Sequence, residues 1–195
     1  IPRAMSRRSA LQWAERQSDW VRSQLRDLPE AEPLVPGRMI PFEGRDILLY
    51  WDHALARKPE HREGLLQCGG PIEGFAARIE RHLRNEARLR LSEETRRKSA
   101  AAGVTVSSVS VGDARSRWGS CSASGAIRYN WRIILAPPHL LRWLVSHEVA
   151  HRRHMNHGEA FRALEAELYG GDVGAARREL RSIGPRLQRV GRSLA

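Results

Sequence analysis

The sequence predicts an α+β protein, and three observations support this fold class. Helical and strand-like patterns occur in clusters along the 195 residues rather than in strict alternation. Hydrophobic residues make up 41% of the chain and charged residues 28%, which is typical of a packed domain rather than a disordered one. The apolar runs, such as residues 133–136, are far shorter than the roughly 18 residues of a membrane helix. We therefore expect a single domain over residues 1–195, with no membrane partner.

The N-terminal part, residues 9–101, is predicted to combine helices with short strands. Apolar residues at helical spacing predict a helix over residues 9–28, with Ser9 as its N-cap. Two apolar runs around Glu43-Gly44-Arg45 predict a hairpin over residues 39–51, and residues 65–68 form a possible short strand. A long helix is predicted over residues 72–101, ended by Gly103.

The following core, residues 102–183, begins with strand patterns and continues with helices. Valines alternate with Ser and Thr over residues 104–111, and residues 125–136 are rich in β-forming residues. Three helices are predicted next, at residues 137–154, 159–168 and 173–183. Residues 184–195 complete the chain as a basic tail.

The net charge of +11 does not by itself predict a nucleic-acid-binding protein. Of the 33 basic residues only Lys58 and Lys98 are lysines, and an excess of arginine beside abundant alanine can reflect GC-rich codons. Residues 174–195, with six arginines and one glutamate, supply +5 of the charge. Nucleic acid remains a possible partner through this basic surface. The two cysteines, Cys68 and Cys121, form no disulfide framework, so we expect a cytoplasmic location.

Residues 147–151 read His-Glu-Val-Ala-His and predict a metal site on a helix. Residues four apart on a helix are separated by about 40° around the axis and about 6 Å along it, so His147 and His151 can reach one ion. Zn²⁺ suits neutral imidazole ligands and a tetrahedral site with an open position. Glu148 is the candidate general base and acid, taking a proton from metal-activated water. Leu140 and Leu144 lie within about 60° of His147 on the helical wheel, so the histidines are expected on the buried face.

The third ligand is predicted to be His157. It follows His151 by six residues, the interval at which metalloproteases of the H-E-x-x-H-x-x-G-x-x-H type place their third histidine. His154 stands where that pattern has glycine, so the chain is expected to turn near residues 155–156 instead. Glu165 and His154 remain alternatives for the third ligand.

A second motif, Ser-Arg-Trp-Gly-Ser-Cys at residues 116–121, lies between the two strand regions that precede the metal helix. Gly119 permits a tight turn there. Arg117 is a candidate for stabilising a developing oxyanion, and a structural ion pair is an equally good interpretation of it. Cys121 is disfavoured as a nucleophile, because the His147–His151 motif already supplies a complete mechanism.

Together these motifs resemble the YgjP-like family of predicted metal-dependent hydrolases, zincin-like metallopeptidases related to SprT-like proteins. The resemblance is densest over residues 104–169, and residues 36–51 fit the family's N-terminal hairpin region. Arg162 departs from the aromatic that the family often has after Phe161. The matching segments are 116–121, 130–132, 135–137, 147–151, 156–157 and Phe161.

The resemblance implies a zincin-like fold, with a small mixed sheet packed on the active-site helix. It also implies His147, His151 and His157 as ligands of one Zn²⁺ per chain, and Glu148 as the catalytic residue. Residues 125–136 would then form the edge strand beside the cleft, to which a peptide adds by main-chain hydrogen bonds. Tyr129 and Asn130 on this strand are candidate substrate contacts, together with Arg117.

The leading functional hypothesis is a zinc-dependent hydrolase, specifically a metallopeptidase acting on a peptide or protein. Two alternatives keep the metal: a phosphohydrolase acting on nucleotides, favoured by the many arginines, and a zincin associated with DNA or RNA. A structural metal site without catalysis would require a fourth protein ligand, and the sequence offers only three good candidates.

Overall fold

The structure is a computed structural model that describes residues 6–26 and 29–193. It divides into two compact units, Ile1–Glu30 and Ala31–Ala195. The first unit contains helices α1 (Arg7–Arg16) and α2 (Ser18–Arg26). The organisation as a single domain with parts at 9–101, 102–183 and 184–195 stays a prediction.

Two helices replace the single helix predicted over residues 9–28, with Gln17 between them. The N-cap is Ser6 rather than Ser9, because the Ser6 side chain accepts a hydrogen bond from the backbone N–H of Ser9. Residues 27 and 28, the predicted end of this helix, lie outside the described residues.

The second unit begins with a four-stranded sheet in the order β1-β2-β4-β3. The predicted hairpin is confirmed, as is the short strand that follows it. Its turn uses left-handed backbone at Glu43 (φ 52°) and Gly44 (φ 75°), which suits the twist of a two-residue hairpin. The strands are β1 (Met39–Phe42), β2 (Arg45–Trp51), β3 (Glu60–Arg62) and β4 (Leu65–Cys68).

The predicted long helix is confirmed as α3 (Phe75–Ala102), preceded by a 3₁₀ turn at Ile72–Gly74. Gly103 ends it in the left-handed conformation, with φ 62°. The buried apolar face repeats every three or four residues and includes Phe75, Ile79, Leu83, Ala87 and Leu91.

The second sheet has three strands in the order β5-β7-β6, and it corrects one prediction. Residues 125–136 do not form an edge strand: β7 is central and ends at Asn130. The Asn130 side chain accepts a hydrogen bond from the backbone N–H of Arg132 and so starts a 3₁₀ helix at Trp131–Leu135. The strands are β5 (Ser108–Gly112), β6 (Gly119–Cys121) and β7 (Ala126–Asn130).

Three helices complete the unit, as predicted: α4 (Pro138–Ala150), α5 (Glu159–Tyr169) and α6 (Val173–Leu187). The first ends four residues before the predicted His154. Its end is held by Arg152, whose Nε donates to the carbonyl of Thr105 at 3.0 Å. In the described part of the chain, no helix is both long and apolar enough to cross a membrane.

A buried arginine ties the end of the chain to the second sheet. The Arg132 side chain is 1% exposed and forms an ion pair with Asp113. Its Nε donates to the carbonyl of Val190 at 2.8 Å, and its guanidinium lies 4.4 Å from the centre of a Trp131 ring. Arg192 contacts the same Asp113 carboxylate at 2.7 Å. The basic C-terminal segment is therefore anchored at least as far as Arg192.

We expect Arg132→Met to lower the free energy of unfolding by about 1–3 kcal/mol, because the Val190 carbonyl loses its donor and Asp113 keeps only its more exposed arginine partners. Urea denaturation followed by circular dichroism measures the change. Arg128→Met is the matched control: Arg128 is exposed and forms no ion pair with the described residues, so it should change stability by less than about 0.5 kcal/mol. Equal losses in the two variants would contradict a structural role for the Arg132 ion pair.

Candidate metal centre

The C-terminal end of α4 carries the first two histidines. His147 lies in the last turn and His151 directly follows the helix, its N–H still bonded to the carbonyl of His147 at 3.3 Å. The neighbouring Leu144 and Val145 are buried, so the motif sits where the helix enters the core. His147 and His151 themselves are half-buried, so the histidines lie at the border of the core rather than on the fully buried face predicted from the sequence.

The structure brings His147, His151 and His157 together. One ring nitrogen from each lies within 4.8 Å of the others, and Nε2 of His147 is 3.4 Å from Nε2 of His157. Two nitrogens bound tetrahedrally to zinc at about 2.0–2.1 Å are separated by about 3.3–3.4 Å. The donor set therefore fits a divalent metal ion that prefers imidazole.

Hydrogen bonds at the opposite ring nitrogens orient two of these imidazoles. Nδ1 of His147 is 2.9 Å from Oε1 of Glu165, and Nδ1 of His151 is 3.1 Å from the carbonyl oxygen of His154. An Nδ1–H donor in each ring leaves Nε2 as the free lone pair. Both rings thus present Nε2 to the space between the three histidines.

The chain returns to place His157 by bending at Met155 and Asn156, as predicted. Asn156 does not adopt the left-handed conformation that its residue type tolerates. Its Oδ1 instead accepts a hydrogen bond from the N–H of Gly158 at 3.3 Å. His154, at the position of the motif glycine, contributes through its backbone carbonyl.

Phe161 on α5 forms an apolar floor under the three imidazoles. Its ring centre lies 5.1 Å from that of His147, 4.6 Å from that of His151 and 4.7 Å from that of His157. Phe161 itself is 1% exposed. It fixes the ring positions by packing, which hydrogen bonds alone do not achieve.

Glu148 is 4% exposed and lies against the edge strand β6. A Cβ atom at Gly119 would overlap its Oε1, so the glycine is what allows backbone and carboxylate to approach. Burial raises the pKa of Glu148 to about 7, against the opposing charges of His147 and Arg117. A carboxyl group with this pKa can both accept and release a proton near neutrality.

The three candidate substrate residues occupy different environments. Tyr129 is 1% exposed and its hydroxyl lies 2.9 Å from Oγ1 of Thr95. Asn130 is 2% exposed and its Nδ2 donates to the carbonyl of Ala114 at 2.7 Å. Both side chains are buried and already hydrogen-bonded within the protein, and their contact with substrate stays a prediction. Arg117 is exposed and forms no ion pair with the described residues.

Glu165 has a role that the sequence did not reveal. Its side chain is 1% exposed, and its Oε1 receives the Nε1–H of Trp143 at 3.0 Å as well as contacting His147. Burial works to raise the pKa of Glu165, but the hydrogen bond and charge of His147, helped by Arg177, outweigh it and lower the pKa. The carboxylate thus orients a histidine instead of joining the triad. The sequence does contain one signal for this role: Glu165 follows Phe161 by four residues, which places both side chains on the same face of α5.

Comparison with known proteins now identifies the family. The YgjP-like metallopeptidase domain matches residues 1–183, most of the chain. The chain belongs to the YgjP-like family. No curated protein is significantly similar to it in sequence. Among solved structures, the metallopeptidase zymogen of Pyrococcus abyssi abylysin is similar over 48% of this chain and 95% of its own, with 13% identity and a TM-score of 0.44.

Membership of the YgjP-like family makes the chain a metal-dependent, metallopeptidase-like hydrolase at the level of the family. The converging histidines offer the site for the metal ion that such a family requires. Among the described residues, this is the one group of three or more His, Cys, Asp or Glu side chains close enough to share an ion.

We expect Glu165→Gln to weaken metal binding by about ten- to a hundredfold, because the neutral amide holds the His147 ring less firmly than the carboxylate does. Competition against a chromophoric chelator measures the affinity. Glu167→Gln is the control, since Glu167 is exposed on the same helix and forms no ion pair with the described residues. If both variants bind metal as tightly as the unaltered chain, Glu165 does not orient the site.

Proposed function

We propose that the chain is a zinc-dependent peptidase with a zincin-like arrangement, in which Glu148 acts as general base and acid. The observation that carries this proposal is the convergence of three imidazole nitrogens within 4.8 Å, beside a buried carboxylate of raised pKa. Family membership supports the hydrolase class. The specific metal and reaction are our inference from the donor set and its surroundings.

His147, His151 and His157 would hold the metal through Nε2. When bound, the ion supplies a Lewis acid that polarises a carbonyl group and favours deprotonation of water. Three protein donors among the described residues leave a fourth position for solvent or substrate, which favours a catalytic over a structural site.

Glu148 performs the proton transfers in this proposal. Its carboxylate accepts a proton from the attacking water and later donates it to the departing amine. Burial at 4% exposure strengthens the interaction of the carboxylate with the charge that develops nearby. Because Gly119 has no side chain, Oε1 of Glu148 can lie directly against the backbone of the edge strand β6.

The substrate is proposed to be a peptide that adds to β6. The backbone N–H of Asn130 donates to the carbonyl of Trp118 at 2.7 Å, and the N–H of Ser122 donates to the carbonyl of Ala126 at 2.9 Å. By the alternation of antiparallel pairing, the backbone groups of Gly119 and Cys121 face away from β7. An extended peptide paired with these groups would pass beside Glu148. In this role β6 takes the place of residues 125–136.

Arg117 is proposed to face the bound substrate. It immediately precedes Trp118 and Gly119, and its charge reaches Glu148 strongly enough to oppose the rise in the pKa of that carboxyl. The absence of an ion pair with any described carboxylate argues against the structural interpretation. An unpaired guanidinium at this point can stabilise negative charge on a substrate oxygen.

We expect Glu148→Gln to keep its metal and lose peptide hydrolysis by at least about a hundredfold, since an amide is no general base. Metal content is measured by atomic emission and turnover with an unbiased peptide library. Glu159→Gln, at an exposed position on α5, should retain both properties. Undiminished cleavage by Glu148→Gln would refute the mechanism, whereas loss of metal would show that Glu148 supports the site structurally.

We expect Arg117→Ala to reduce kcat/KM by about ten- to a hundredfold, mainly through kcat, with metal content unchanged. Steady-state kinetics on the best library peptide separates kcat from KM. Arg115→Ala is the matched control, because Arg115 is exposed two residues away and forms no ion pair with the described residues. A similar effect of both changes would mean that only the net charge of the region matters.

A further inference from the structure

A second concave site lies between α3 and the segment of residues 57–59 that precedes β3. It is a cavity of about 340 Å³ that shares no lining residue with the histidine site. Residues 57–58, ahead of β3, form one wall, and side chains spaced three or four apart on α3 form the other. We call it the basic cavity; its polar lining consists of Arg57, Lys58, Arg78, Arg81, His82 and Asn85.

The lining of the basic cavity contains four cationic side chains and no carboxylate. Its arginines and lysine form no ion pair with the described residues. Of the carboxylates next to it in sequence, Glu80 pairs with Arg84 at 2.7 Å and Glu60 with Arg62 at 3.4 Å. Glu86 lies 3.7 Å from Arg90, and its charge also acts on His82 of the lining. Four like charges around one cavity repel each other, so an anion placed among them would be stabilised.

Arg78 provides an independent indication of a ligand. It is 6% exposed, and one end of its guanidinium donates to the carbonyl of Pro71 at 2.8 Å. Its Nε is buried without a hydrogen-bond partner, and so is Nε2 of His82. A buried charged donor without a partner is costly, and native structures seldom leave one so. Arg78 therefore places a buried charge without a counter-charge in the wall of the cavity, and an anion in the cavity would compensate that charge.

We propose that the basic cavity binds the phosphate group of a small molecule. A phosphate offers three acceptor oxygens and up to two negative charges, which match a guanidinium fork and a lysine ammonium. It would compensate the buried charge of Arg78 and neutralise the exposed cations around the cavity. The two sources of such a group are free inorganic phosphate and an organic phosphate monoester.

Isothermal titration calorimetry of the full chain at constant ionic strength tests the proposal. The probes are inorganic phosphate, pyrophosphate and glycerol 3-phosphate, with glycerol as the uncharged control. We expect saturable binding of the phosphates and none of glycerol. Tighter binding of glycerol 3-phosphate than of phosphate would assign the site to an organic monoester, and the reverse order to the free anion. Absence of saturable binding by every phosphate probe would overturn the proposal.

Single substitutions test whether the phosphate binds in the basic cavity. Lys58→Ala and Arg81→Ala remove exposed cavity cations, and each should weaken binding about tenfold, the loss expected for one charge-assisted hydrogen bond. Arg88→Ala removes an exposed cation from the same helix outside the cavity and should alter the affinity less than about twofold. Equal weakening by all three variants, or by none, would place the phosphate elsewhere, including at the histidine site.

Discussion

The candidate site depends on hydrogen bonds made away from it. His147 and His151 present Nε2 to a common point because their Nδ1 atoms are occupied by Glu165 and by the carbonyl of His154. Without these partners each imidazole could rotate about its side-chain bonds, and the donors would converge only part of the time. Glu165 is itself fixed by the indole N–H of Trp143, which lies on α4 with His147. Two helices therefore fix the geometry of the site together: α4 carries His147 and Trp143, and α5 carries the Glu165 carboxylate that bonds to both.

Helix α5 has two functions in this arrangement. Phe161 and Glu165 lie one turn apart, so the same face supplies the apolar floor of the triad and its orienting carboxylate. His157 precedes this helix by two residues, and the position of the third donor consequently follows from the docking of α5 on α4. Metal binding and the packing of these helices are thus linked: an ion that needs all three imidazoles also stabilises the contact that brings them together.

Local patterns in the sequence were sufficient for most elements and for the triad. The spacing of His147 and His151 is a property of one helix, and the hairpin at Glu43-Gly44 is a property of one turn. What local patterns could not supply was pairing between distant segments. Alternation at Ile127, Tyr129 and Trp131 continues through the end of β7, yet the Asn130 cap stops the strand. The choice of β6 as the edge likewise depends on which strands meet, and Glu165 acquires its role only when α5 lies against α4.

The arginine excess also has a different meaning in the folded chain. At exposed sites, codon preference explains why a basic residue is Arg rather than Lys. Arg132 is different, because its side chain contacts a carboxylate, a backbone carbonyl and an indole ring at once. The single ammonium group of a lysine cannot make these three contacts. The segment that supplies much of the net charge is held by α6, by pairing of Val190 with Glu32, and by Arg192 on Asp113. Removing it would expose the core contact of Val190 as well as remove charge. A charge-based nucleic-acid role therefore has to be sought with point substitutions on exposed arginines, because truncation changes the fold and the charge together.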